Sequence, residues 1–267
     1  MRKIGICLFI CFVFWGQATT AFASIGDSVK SMAEQSEQFF KYVKAEDWIE
    51  AREALWQLTA AFSEHNWEDS DVSVEGIHAL SGTLIQAKQA LTSAQLDTNK
   101  IQQEAIRVRL GIDALQNREQ PLWHHYFNVL KKDLSHLREV LSSGNKTDIE
   151  QGVERLRAHY MMIEPALYVT RSAEVVEQVR SLFDFMDRQI HDVSVNRRQL
   201  QEAVDQWDQL LIPLFYGSDE EVLAVSATPF TPIMYTTWLL AILIGAVLTY
   251  VVWRKAQAPQ RIPFHRR

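Results

Sequence analysis

Cysteine is nearly absent from this chain. Cys7 and Cys11 are its only two, and both lie in an apolar N-terminal run. If that run is removed, the rest has no disulfide, thiolate metal site or cysteine nucleophile. Proline is missing between Phe22 and Pro121, and glycine is sparse at 10 of 267 residues. Sustained apolar–polar alternation is missing too, which argues against exposed sheet. No acid follows Glu221. Neither a Gly-rich phosphate loop after a strand nor a Gly-x-Ser-x-Gly elbow occurs, and no His-Glu-x-x-His pattern appears.

What is present at the ends speaks of topology. Arg2 and Lys3 precede an apolar run from Ile4 to Trp15, and Ala21-Phe22-Ala23 gives a small-x-small pattern. This predicts a signal peptide over 1–23, with an uncleaved anchor as its rival. "LFIC" is no lipoprotein box, because bulky Ile10 stands where a small residue is needed. Near the other end, Ile233 to Trp253 carries no charge. At about 1.5 Å per residue that run spans about 30 Å, a bilayer's hydrocarbon core. Tyr235, Trp238, Tyr250 and Trp253 sit towards its ends, and Arg254, Lys255, Arg261, Arg266 and Arg267 follow. A transmembrane helix over 233–253 is predicted, with 254–267 a basic cytoplasmic tail. A buried core helix is the competing reading.

The intervening region, 24–216, is predicted to lie outside the cytoplasm. All 33 acids fall between Asp27 and Glu221, while seven of the 27 basic residues fall outside that stretch, leaving it near −13. Such a surface repels nucleic acid and anionic head groups, so no nucleic-acid partner is expected. The bilayer, through the C-terminal helix, and unidentified protein partners at the membrane are expected.

Leu, Ala, Glu, Gln and Arg dominate this region, and apolar residues recur at steps of three and four. The expected fold class is all-α, with about eight amphipathic helices. They are placed at 26–44, 47–63, 74–92, 99–117, 121–142, 148–163, 173–191 and 196–215. Ser73 is expected as an N-cap, Thr147 or Asp148 as another, and Gly144 as a left-handed C-cap. Pro121 suits a first helical turn, Pro165 a break, and Pro213 a kink or early stop. Residues 217–232 read as an extended tether.

The stripes suggest an internal repeat, 25–117 and 121–215. Helices one and five superpose at an offset of 98, and helices three and seven, and four and eight, at 99. For helices two and six, Trp48, Leu55, Thr59 and Phe62 superpose on Ile149, Leu156, Tyr160 and Ile163 at 101. "QEAI" at 103–106 and "QEAV" at 201–204 match literally at 98, one residue off the better register. Tandem duplication of a four-helix unit and chance superposition of similar helices both remain open.

The chemistry-bearing clusters read as ordinary surface or core. Asp69, Asp71, Ser73 and Glu75 alternate like a calcium loop, but Val74 stands at the glycine position and Leu80 at the final acid. His124 and His125 point about 100° apart on a helix, and the other histidines are scattered. Trp48, Trp56, Trp123 and Trp207 lie on or beside the stripes and read as core. No catalytic, cofactor-binding or metal-binding residue, and no cofactor, is assigned, and the chain is not expected to be an enzyme.

Three segments carry a family resemblance: "MRKIGICLFICFVFWGQATTAFA", "FFKYVKAEDWIEAREALWQLTAAF" and "MYTTWLLAILIGAVLTYVVWRKAQ". With these the chain resembles, over nearly its full length, the YpjB family of endospore-forming bacilli, called sporulation proteins. The resemblance implies a biological context and no reaction. The expected function is therefore a membrane-anchored, extracytoplasmic helical scaffold that binds protein partners in sporulation. The alternative is a ligand-sensing ectodomain that signals through a partner, since a tail of 254–267 is too short to transmit by itself. An enzyme would need a wide cleft between the halves lined by ionisable groups.

Overall fold

The computed structural model describes residues 18–191, 196–226, 240–250 and 253. The described residues up to 226 are mostly helical, and no strand occurs among the described residues. In chain order the helices are α1 (Ala18–Lys44), α2 (Trp48–Glu64), α3 (Val74–Thr92), α4 (Thr98–Gln116), α5 (Tyr126–Ser143), α6 (Lys146–Thr170), α7 (Ala173–His191), α8 (Arg197–Tyr216) and α9 (Asp219–Ser226). A 3-10 turn, Leu122–His125, leads into α5.

The all-α expectation holds, with local corrections. Helix α1 starts at Ala18, eight residues before the expected 26, and runs through the predicted cleavage point after Ala23. Pro121 stands before the 3-10 turn in extended conformation, not in a first α-helical turn. Ser73 caps α3 as expected, accepting from the Gly76 N–H at 3.0 Å. The cap of α6 is Asn145, in a reciprocal capping box with Asp148. Gly144 has φ −79° and is not left-handed. Pro213 neither stops nor shortens α8, which continues to Tyr216.

Pro165 lies inside α6 and does not end it. A helical proline leaves the carbonyl four residues back without its usual donor. Here that carbonyl is Met161, and Arg107 of α4 supplies the bond, its Nε donating at 3.1 Å. A neighbouring helix thus repairs what the local sequence breaks.

The predicted tether is also partly helical. Val222 of α9 is fully buried. Arg171 donates to the Leu214 and Gly217 carbonyls and contacts Asp219, whose carboxylate also accepts from the Ser172 N–H at 2.7 Å. Residues 227–232 lie outside the described residues.

The helices form two four-membered rings of neighbours. In the first half α1 packs on α2 and α4, α2 on α3, and α3 on α4; in the second α5 packs on α6 and α8, α6 on α7, and α7 on α8. The buried positions share registers. Met32, Ser36, Phe39 and Val43 of α1 match Leu130, Leu134, Leu137 and Leu141 of α5 at 98. Ala51, Leu55, Leu58 and Phe62 of α2 match Ile149, Val153, Leu156 and Tyr160 of α6, also at 98. Leu80, Leu84, Ala87 and Leu91 match Val179, Phe183, Met186 and Ile190 at 99. Ile101, Ala105, Val108 and Ile112 match Leu200, Val204, Trp207 and Leu211 at 99. The expected 101 for α2 and α6 is therefore wrong. Thr59 is exposed and returns its hydroxyl to the Leu55 carbonyl, so it is no stripe residue.

The halves meet where α6 outruns its counterpart. At offset 98, α2 stops opposite residue 162, while α6 continues to Thr170 and packs on α3 and α4. Two glycines admit it. A Cβ on Gly111 would lie 2.7 Å from Leu80 Cδ2 and 3.4 Å from Pro165 Cβ, and one on Gly76 would lie 2.7 Å from the Tyr168 carbonyl. One continuous core results, in which each fully buried Leu or Ile contributes roughly 1.5–3 kcal/mol.

The chain from Ser226 onward forms a separate unit. Its described residues 240–250 are helical, with exposed apolar side chains. Among the described residues no helix is long and apolar enough to cross a membrane. Residues 233–239, 251 and 252 of the predicted span, 1–17 of the predicted signal peptide and the tail 254–267 lie outside the described residues.

Candidate functional site: two surface grooves

The first groove lies between the outer faces of α2 and α3 and encloses about 600 Å³. Buried Leu55 and Leu91 form its floor. Ile49 and Trp56 form one wall and are 76% and 66% exposed. Thr59 and Lys88 face the same space. Trp56 is thus no core residue, contrary to expectation; Trp123 and Trp207 are buried, and Trp48 is half-buried. At about 100° per residue, Ile49 and Trp56 point well away from the Ala51–Leu55–Leu58–Phe62 stripe. They form a second apolar line, seven residues apart, on the helix's outer side. That spacing was legible in the sequence once Ala51 and Leu58, not Thr59, were taken as core.

The charges around this groove are unequal. Arg52 directs both Nε and Nη2 to the Leu91 carbonyl, at 3.1 and 2.9 Å, and so caps the end of α3. Asp47, Glu50 and Glu53 are exposed on α2 and its entry. A hydrogen-bond contact with Asp47 raises the Glu50 pKa, the mark of two crowded carboxyls.

At offsets 98 and 99 the equivalent place in the second half is filled. Arg157 replaces Thr59 and Asp187 replaces Lys88; the two form an ion pair, and the Arg157 guanidinium lies 5.0 Å from the Phe183 ring centroid. Thr147 stands for Ile49 and Glu154 for Trp56. The second half carries a polar bridge where the first carries an open apolar groove.

The second groove, about 640 Å³, runs between the halves, from α3 and Arg107 to α6 and α7. Its ionisable groups face one another. Arg180 donates to Tyr168 Oη at 3.1 Å and to Glu177 at 3.2 Å and approaches Glu164 at 3.8 Å; Tyr168 donates to Glu177 at 2.9 Å. Arg107 donates to Gln86 at 2.6 Å and to Glu104 at 3.0 Å. Burial raises the Glu164 pKa, against the pull of Arg180 and Arg107. A cleft with ionisable walls between the halves therefore exists, but its arginines clamp α3, α4, α6 and α7 together.

The remaining singled-out residues are dispersed. Asp69 accepts from Asn66 Nδ2 at 2.8 Å, Asp71 faces Arg118 at 3.4 Å, and Ser73 caps α3. His124 stacks edgewise on Trp123, whereas His125 Nδ1 lies 3.0 Å from the Leu122 carbonyl. His65 bonds Ser28 and His159 bonds Asp133. Among the described residues no three His, Cys, Asp or Glu side chains converge as a metal site.

Comparison with known proteins gives one context. The family model described as Sporulation protein YpjB (SpoYpjB) matches residues 29–262. A protein of Bacillus subtilis (strain 168), named Uncharacterized protein YpjB, is 22% identical over 190 residues, covering 70% of this chain and 71% of that protein. No solved structure matches. The chain belongs to the YpjB sporulation protein family.

Proposed function

We propose, with membership of that family as the premise, that the chain is a membrane-anchored, extracytoplasmic interaction protein acting in sporulation. The observation that carries this reading is the open α2–α3 groove, with Ile49 and Trp56 exposed beside a floor of Leu55 and Leu91. Large apolar side chains held in water on a rigid helix are characteristic of binding surfaces. The anchor rests on the uncharged run Ile233–Trp253 and its basic flank, and export on the N-terminal Arg2-Lys3 and apolar segment. The bundle acts as a scaffold, without a reaction of its own.

Three strains test it: a deletion, one expressing the full chain, and one expressing the chain without 233–267. The full chain restores spore yield and fractionates with membranes, while the truncated chain is released and fails. Normal sporulation of the deletion strain, or full rescue by the released form, refutes the reading.

A ligand-sensing ectodomain is a second reading, favoured by the inter-half cleft. A small molecule that raises the protein's Tm, with the increase abolished by Arg180→Ala, supports it; no increase with any candidate compound counts against it.

A further inference from the structure

We infer that the α2–α3 groove takes an amphipathic helix of a partner protein, one whose apolar face is flanked by Lys or Arg. The inference rests on the interaction reading above and adds the partner's chemistry. Shape comes first. Ile49 and Trp56 stand seven residues apart, two helical turns or about 10.5 Å along α2. Leu55 and Leu91 lie below them, between two packed helices. A third helix laid along such a seam inserts apolar side chains at steps of three, four and seven. The enclosed volume of about 600 Å³ accepts a few side chains and leaves the partner's backbone outside.

Charge comes second. Arg52 keeps its charge but is held against the Leu91 carbonyl, at the α3 edge of the groove. Asp47, Glu50 and Glu53 line the α2 side, three carboxylates against the two cations, Arg52 and Lys88, at the α3 edge. The crowding that raises the Glu50 pKa is relieved by an approaching cation. Basic flanks on the partner satisfy this rim, and acidic ones are repelled. The same acidic rim disfavours an anionic lipid surface.

The molecule also holds its own control. The equivalent seam of α6 and α7 is bridged by Arg157 and Asp187 and presents Thr147 and Glu154 in place of Ile49 and Trp56. The shared registers keep the same positions buried while this outer face differs. Packing of the bundle therefore does not require an open groove with an exposed tryptophan.

The test places a photo-crosslinking amino acid at Ile49 of the full chain in sporulating cells, with Thr147 as the matched control. Cross-linked segments are mapped by mass spectrometry. The expected adduct, specific to position 49, joins a protein segment with apolar residues three and four apart and Lys or Arg beside them. Trp56→Ala removes it, and the double variant Glu50→Lys, Glu53→Lys lowers its yield at least tenfold. These side chains are exposed, so Tm checks that folding is unchanged. An acidic or non-helical segment, a second copy of this chain, or indifference to the charge reversal overturns the inference and leaves the interaction reading standing. Adducts only to lipid, or no excess over position 147, overturn both.

Discussion

The two halves share buried registers and differ in nearly everything that lies on top of them. Aromatic rings cluster in the second core where the first has fewer: Leu84 and Val108 stand opposite Phe183 and Trp207, and Phe62 stands opposite Tyr160. Those three second-half rings pack at centroid distances of 5.1–5.9 Å. The polar seams are reversed as well. Glu37 of α1 pairs with Arg109 of α4, whereas Arg138 of α5 pairs with Asp205 and Asp208 of α8. Asp208 stands at the position equivalent to Arg109. One helical frame thus tolerates opposite charge arrangements, because a four-helix ring needs complementarity at each seam and not a given sign.

The sharpest way to break the comparison is to empty the aromatic core. Trp207→Ala is expected to cost about 3–5 kcal/mol, with Val108→Ala costing clearly less, by urea unfolding of the full chain. Equal losses would mean that the rings carry no special share of the second half's stability.

The junction comes next. Gly111→Ala places a methyl group against Leu80 and Pro165 and should cost about 1–3 kcal/mol. Its counterpart is Leu210, a fully buried residue away from the extra turns of α6. An unchanged Tm for Gly111→Ala would show that α4 and α6 are not so closely packed.

Glu164 gives a smaller effect that depends on pH. Burial raises its pKa, so the folded chain keeps the carboxyl proton to higher pH than the unfolded chain does. Stability contributed here is present below the ordinary carboxyl pKa and declines as pH rises through the raised one. Glu164→Gln should therefore raise Tm by a few degrees at most at about pH 7, and by nothing at about pH 4. A lower Tm at about pH 7 would show that the Arg180 contact outweighs burial.

The smallest stability change comes from exchanging the groove residues. Thr59→Arg with Lys88→Asp copies the second-half bridge into the first and should alter stability by about 0–1 kcal/mol. It should nevertheless abolish cross-linking at Ile49. Persistent cross-linking would mean that the groove is not the contact surface.

How much of this was legible follows from what kind of force decides each feature. Helical period and the Ser73 cap are local, and the helix predicted over 74–92 has those bounds in the structure. Pro165 misled because its helix is rescued from outside, by Arg107, fifty-eight residues earlier in the chain. Thr59 misled because a hydroxyl at step four counts as a stripe residue until burial shows that Leu58 takes the place. With Thr59 counted as a stripe residue, Trp56 reads as core as well and the outer face of α2 is hidden.

By itself, then, the sequence determined the helical class, the approximate helix limits, the acidic surface and the family resemblance. These depend on composition and on periods a few residues long. Only the tertiary structure decided which side of α2 is buried, that α6 extends past its proline to join the halves, and that α9 is latched by Arg171. It also decided that one seam is bridged while its twin is open. Each of these depends on which distant side chain arrives at a given carbonyl, carboxylate or apolar surface, and no local pattern encodes that meeting.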